Sequence, residues 1–478
     1  MLCLRRAPCA AVLAAFLAGC SGAAGPAFAP THAHVASPSS RTASCSPQPA
    51  KMVMALPNAP GAASPDALST KYIKHIVILV QENRSFDNFF ATFPGADGAT
   101  SGKDSNGNTI TLKPQTLAGL DINHNYATYL TDYDCGKMDG FNLSGIDGNH
   151  PAKDYPYHYV DPAQIQPYWM LAQQYVLADH MFQTQGSGSF TAHQDLIAGT
   201  TAINSTESLI DYPSNSTNWG CNAKPSTVTS LLTVQGQYLF NKGPFPCLTY
   251  PTGTLRDLLD AKHVGWKYYA PPYESNTVGT LWNAFAAVDA VRNGPDWAKH
   301  ISMPETNVLN DIANGQLPAV SWVIPDHVDS DHPHSLHGQY NGPSWVASVV
   351  NAIGTSTYWK TSAIVVVWDD WGGFYDHEPP PLLDQAGGLG FRVPMLIVSP
   401  YVAVGTISHT QYEFGSILKF VEATFGLGSL GTTDVRANSI GNVFQFKQTP
   451  RTFTPIPSQH SRAYFLHRRP SYEPVDTQ

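Results

Sequence analysis

Two polar stretches stand directly behind apolar runs, and they hold the side chains with chemistry to offer. Glu82, Asn83, Arg84 and Ser85 follow the apolar run Ile76 to Val80 and Gln81. Asp369-Asp370 follows SAIVVVW and precedes Gly372-Gly373. Two neighbouring carboxylates at the end of a buried strand repel each other and need a cation or hydrogen-bond donors. A hard divalent metal meets that need, with Glu82 and Asn83 as further oxygen ligands. The glycine pair lets the backbone turn sharply and approach a ligand closely. Alone, Asp369-Asp370 reads as a solvated turn. Together with Glu82-Asn83 it reads as a site for one divalent ion, with Ca, Mg, Mn or Zn all admissible.

A third stretch, ADHMFQTQGSGSFTAHQDLIAGT (178–200), places Ser187, Ser189 and Thr191 at the start of a helix-like segment. Such a hydroxyl is commonly a helix cap. The same position can also present a hydroxyl and backbone N–H groups to an anionic phosphate, where a metal-activated oxygen attacks phosphorus. Histidines form a fourth group. His327, His332, His334 and His337 crowd one loop, and His124 sits in DINHNYATY. Solvated loop histidines are the ordinary reading. Beside a phosphoryl group, imidazoles stabilise charge or protonate a leaving oxygen. The aromatic stretch 154–160, with Tyr168 and Trp169, reads either as core or as a cage for a quaternary ammonium.

These residues need elements to position them. HIVILV, GWKYYAP, PAVSWVIP, SAIVVVWDD and PMLIVSP read as strands. Segments TLRDLLDAKH, 308–313, WVASVVNAI and FGSILKFVEATF read as the helices among them. Continuous β-branched runs alternating with helices predict an α/β fold, a doubly wound and mostly parallel sheet with helices on both faces. Ligands in such sheets sit beyond the carboxyl ends of the strands. Those ends carry Glu82-Asn83, Asp326-His327 and Asp369-Asp370.

The chain has 478 residues, 42% of them hydrophobic, enough for a large core. Residues 1–19 read as a signal peptide. Arg5 and Arg6 precede a short apolar stretch that ends in a lipobox-like Leu17-Ala18-Gly19-Cys20, which makes Cys20 the lipidation site. Residues 20–70, rich in Ala, Pro, Ser and Gly, read as a flexible tether, and 71–478 as the catalytic domain. This predicts an exported lipoprotein of the periplasm or outer membrane, in contact with membrane through its lipid anchor only. Loss of Arg5 and Arg6 takes the formal charge from −9 to −11. Such an acidic balance argues against nucleic acid as a partner. In an oxidising compartment Cys221 and Cys247 are the expected disulfide.

The motifs ENRSFD (82–87), GKMDGF (136–141), LPAVS (317–321) and Asp369 through His377 with three prolines resemble the bacterial phosphoesterase family. That family includes non-haemolytic phospholipases C and acid phosphatases similar to them. The resemblance implies an alkaline-phosphatase-like fold and metal-assisted phosphoryl transfer through a Ser or Thr nucleophile. It places Glu82, Asp369 and Asp370 on the metal, and Asn83, His124 and His332 on the phosphate. Ser189 falls at the nucleophile, with Ser187 and Thr191 as alternatives. The Asp369-Asp370 pair resembles the acid-phosphatase branch, which implies a broad phosphomonoesterase acting on small phosphate esters. A phospholipase C acting on a phospholipid headgroup is the runner-up. A catalytically silent surface-binding lipoprotein is the reading of another class.

Overall fold

Aliphatic and β-branched runs with no room for alternating polar residues must be covered on both faces, and they form the centre of the molecule. The structure is a computed structural model that describes residues 65–146, 150–214, 219–274, 277–333, 341–383 and 388–472. Eight strands form one sheet: β1 (His75–Gln81), β2 (Val176–Ala178), β3 (Trp266–Tyr269), β4 (Ile301–Ser302), β5 (Val320–Val323), β6 (Ser362–Trp368), β7 (Met395–Val398) and β8 (Thr406–Ser408). Their spatial order is β4-β3-β5-β1-β6-β7-β2-β8. All residues of β6 and all but the first of β1 are buried, as central parallel strands require. The helices between and around them include α1 (Pro65–Tyr72), α2 (Ser189–Ala198), α3 (Leu255–Ala261), α4 (Asn307–Ala313), α5 (Gly342–Gly354) and α6 (Phe414–Phe425). The predicted α/β architecture is the observed one.

Two details differ from the expectation. β7 runs antiparallel to both β6 and β2. No helix is found among the described residues between β6 and β7, so the chain turns back without the crossover that a parallel pair needs. The tether also ends earlier than residue 70. α1 begins at residue 65, and Ser69 is buried with its Oγ 2.9 Å from Thr424 Oγ1 on α6. The helix can dock because its inner face meets α6. Residues 1–64, with the expected leader, Cys20 and most of the tether, lie outside the described residues.

A disulfide joins Cys221 and Cys247. Cys135 is also disulfide-bonded, and Cys45 lies outside the described residues. Among the described residues no helix is long and apolar enough to cross a membrane.

Candidate active site

Strand register builds the site. β1 and β6 pair in parallel from His75 opposite Ser362 to Gln81 opposite Trp368. The next residues, Glu82 and Asp369, therefore leave the sheet side by side. The ladder continues past the strands. Asp369 N donates to the Gln81 carbonyl at 3.0 Å, and Arg84 N donates to the Asp370 carbonyl at 2.9 Å. Between them Asn83 N donates to Asp369 Oδ1 at 3.0 Å. Asn83 adopts φ +58°, a left-handed conformation that asparagine tolerates better than most residues. Gly372 makes this close approach possible: a Cβ there would sit 2.3 Å from the Asn83 carbonyl oxygen.

The facing wall is the start of α2. Gly188 is its N-cap and Ser189 its first residue. Ser189 Oγ donates to Asp370 Oδ2 at 3.1 Å. His193 lies one turn further on the same face. Its Nε2 is 3.0 Å from Glu82 Oε1 and 3.6 Å from Asp369 Oδ2. The helix is anchored from behind, where Trp322 Nε1 on β5 donates to the Leu196 carbonyl at 3.1 Å. The alternative hydroxyls are engaged elsewhere. Ser187 Oγ accepts from Asp211 N at 2.8 Å, and Thr191 Oγ1 donates to the Gly188 carbonyl at 3.2 Å.

Two histidines complete the surroundings. His124 Nδ1 lies 2.7 Å from the Ile122 carbonyl, which holds the proton on that nitrogen. Nε2 then accepts from Asn83 Nδ2 at 2.8 Å and lies 3.8 Å from Asp370 Oδ2. The His332 ring stands 6.3 Å from that of His124 and stacks on Trp282 at 5.8 Å. His124, Ser189 and His332 line one cleft, and Phe190, Tyr212, Trp219 and Trp282 form its aromatic walls.

The charge balance is lopsided. Glu82, Asp369 and Asp370 are fully buried, and their ion-pair partners among the described residues are imidazoles only. Burial pushes the Glu82 carboxyl well above its usual range, and the charges of Asp370 and Asp331 add to this. Burial and the Glu82 charge do the same to Asp369. Burial and the Asp369 charge push Asp370 up to about 8. Burial pushes the His193 imidazole down to about 4. Among the described residues, Glu82 Oε2, Asp369 Oδ2 and Asn83 Oδ1 find no hydrogen-bond partner. Buried oxygens in this state are costly unless something positive meets them. Donor atoms of Glu82, His193 and Asp369 lie within 4.8 Å of one another. The residues present therefore fit a divalent cation.

The structure thus brings Glu82, Asn83, His124, Ser189, His332, Asp369 and Asp370 to one place. Asp326 does not join them. Its carboxylate is held by Arg468 Nη2 at 2.8 Å and by Ser471, on the C-terminal segment. His327 packs against Trp282 and His332, while His334 and His337 lie outside the described residues. The aromatic cage around 154–160 is also absent. Tyr157 is buried against Tyr375, and Tyr168 is buried with its hydroxyl on Asp331 Oδ2 at 2.7 Å. These rings are core, and the aromatic walls of the cleft come from other segments. His193 was not foreseen in this role, although its spacing of four from Ser189 on a helix carried the signal.

The Phosphoesterase family model matches residues 73–428. The chain belongs to the phosphoesterase family. It is similar to phospholipase C B of Mycobacterium tuberculosis, 24% identical over 84% of this chain and 83% of that protein. It is similar also to the non-hemolytic phospholipase C of Burkholderia pseudomallei, 24% identical over 84% of this chain and 63% of that protein. A protein of the alkaline phosphatase superfamily from Vibrio parahaemolyticus aligns over 80% of this chain and 71% of its own, at 11% identity and a TM-score of 0.33. This phosphoesterase is a phosphoric ester hydrolase, and the silent-binder reading is set aside.

Proposed function

We propose that this phosphoesterase cleaves phosphate esters through Ser189 and a phosphoserine intermediate, assisted by one divalent ion. The observation that carries the reading is the Ser189 Oγ hydrogen bond to Asp370 Oδ2 at 3.1 Å, at the mouth of the buried carboxylate cluster. Glu82, Asp369, Asp370 and Asn83 Oδ1 would hold the ion. A bound ion of this kind polarises a phosphoryl oxygen and lowers the pKa of an adjacent hydroxyl.

The chain's own groups supply the rest. Ser189 passes its hydroxyl proton toward Asp370 Oδ2 and attacks phosphorus in line, while the P–O bond to the leaving group breaks. His332 delivers a proton to the departing ester oxygen. Asn83 Nδ2 and the protonated form of His124, whose Nε2 then donates, meet the equatorial oxygens, where stabilising charge is the main task in phosphoryl transfer. Water then displaces the serine oxygen from phosphorus, its proton passing to His332, and Asp370 returns the proton to Ser189.

For substrate, we take small phosphomonoesters as the first reading, on the paired Asp369-Asp370. Phospholipid diesters are the second reading, favoured by the phospholipase C relatives and by the aromatic walls of Phe190, Tyr212, Trp219 and Trp282. The leader-like segment supports export with a lipid anchor at Cys20.

Acid quench during turnover, followed by mass spectrometry, should find phosphate on Ser189. Ser189→Ala should abolish the adduct and lower kcat by about a thousandfold or more. Near wild-type turnover in that variant would refute the nucleophile. Rates on p-nitrophenyl phosphate against p-nitrophenylphosphorylcholine, with and without chelator, separate the two substrate readings.

A further inference from the structure

We propose that His193 Nε2 is itself a metal ligand. The site then takes a borderline transition ion of the zinc or cobalt(II) class in preference to calcium or magnesium. The inference rests on the metal-assisted reading above and narrows it.

Three donor atoms from distant parts of the chain converge on one point: Glu82 Oε1 behind β1, Asp369 Oδ2 behind β6, and His193 Nε2 on α2. The imidazole nitrogen is 3.0 Å from the first oxygen and 3.6 Å from the second. Ligands held at ordinary zinc distances in a tetrahedron lie about 3.3 Å from one another. His193 is 1% exposed. Its Nδ1 has no hydrogen-bond partner among the described residues. In this structure Nε2 is the nitrogen engaged, hydrogen-bonded to Glu82 Oε1 at 3.0 Å; ligation would move the ring proton to Nδ1 and leave the Nε2 lone pair for the cation. Glu82 Oε2, Asp369 Oδ2 and Asn83 Oδ1 are buried without hydrogen-bond partners among the described residues.

Donor chemistry sets the choice of ion. Calcium and magnesium are hard and take oxygen ligands. An imidazole in the set shifts preference toward first-row transition ions. Glu82, Asn83, Asp369 and Asp370 alone form an all-oxygen set with no such preference.

The test uses the full chain labelled with 15N-histidine, stripped with chelator and reloaded with 113Cd2+. The expected NMR result is one bound ion per chain with one 15N–113Cd-coupled imidazole, a coupling absent in His193→Gln. Competition titrations should show that His193→Gln weakens Zn2+ binding by about a hundredfold or more, at or beyond the top of the range for outer-shell changes. Ca2+ affinity should stay unchanged. Bound cadmium with no coupled imidazole in the wild-type protein overturns the inference, and this reading does not depend on the variant folding. A coupling that persists in His193→Gln overturns it as well, as does unchanged Zn2+ affinity. If the wild-type protein binds no ion of any kind, the metal reading itself falls and takes this inference with it. That outcome differs from bound metal without nitrogen.

Discussion

Two buried clusters, both built from motif residues, show opposite solutions to the same electrostatic problem. In the first, the charged partners of Glu82, Asp369 and Asp370 among the described residues are imidazoles only, and Glu82 Oε2 and Asp369 Oδ2 have no hydrogen-bond partner there. In the second, Asp87 and Asp376 face a fully buried Arg392 and His377. Arg392 Nε donates to Asp376 Oδ1 at 2.8 Å, and its Nη1 donates to the Asp97 and Asp179 carbonyls, each at 2.8 Å. His377 Nδ1 meets Asp87 Oδ2 at 2.7 Å, and Ala99 N donates to Asp87 Oδ1 at 3.0 Å. The second cluster brings its own cations and is complete. The first is short of positive charge. Buried acids therefore make a candidate ligand site here only where the fold leaves them uncompensated. The ENRSFD motif is divided between the two roles. Glu82 and Asn83 belong to the uncompensated cluster. Arg84, buried with its guanidinium on the Asp331 and Leu117 carbonyls, and Asp87 serve the scaffold.

Exchanging the roles of the two clusters by mutation tests this contrast. The largest effect is expected from Asp370→Asn, which should lower kcat/KM by about a thousandfold or more and leave the unfolding midpoint nearly unchanged. A collapse in stability with modest kinetic loss would erase the distinction. Arg392→Met should do the reverse. It leaves Asp87 and Asp376 buried without their guanidinium and should remove about 3 kcal/mol of unfolding free energy, measured by urea titration.

The next expected effect is a pH dependence. Burial lowers the His377 pKa, but the hydrogen bond and charge of Asp87 outweigh this and raise it to about 9. A raised imidazole pKa contributes stability that is fully present below its unfolded value near 6.5 and is lost as pH rises through 9. Stability should fall by about 1–2 kcal/mol between pH 6.5 and pH 9.5, allowing for partial exposure. His377→Gln should flatten that part of the profile, and an unchanged slope would remove His377 from the account. The smallest effect sharpens the comparison most. In chelator-stripped protein, Asp369→Asn should raise stability by about 1 kcal/mol by relieving repulsion with Glu82, whereas Asp87→Asn should lower it. Parallel shifts in thermal unfolding would show that the two clusters do not differ.

Much of this was legible from residue patterns. The runs HIVILV and SAIVVVW announced the two central strands, because only a strand buried on both faces tolerates unbroken β-branched sequence. Strands β2, β4 and β8 were not foreseen. At two or three residues each they are too short to carry a period, and their neighbours alone define them. The reversed direction of β7 also lay beyond pattern, since MLIV reads the same in either sense. The aromatic cage failed because composition does not say which way a ring faces. Tyr157 and Tyr168 turned inward, while Trp219 and Trp282, from unremarked segments, reached the cleft.

Sequence by itself determined the α/β class and the polar residues waiting at the strand ends, because apolar periodicity and charge burial are local properties. Tertiary structure decided which of those residues meet. In-register pairing of β1 with β6 set Glu82 beside Asp369, and the docking of α2 brought Ser189 and His193 across to them. Asp326, equally placed behind a strand, was claimed by Arg468 from the chain's far end. Such choices depend on contacts between segments hundreds of residues apart, and no local pattern encodes them.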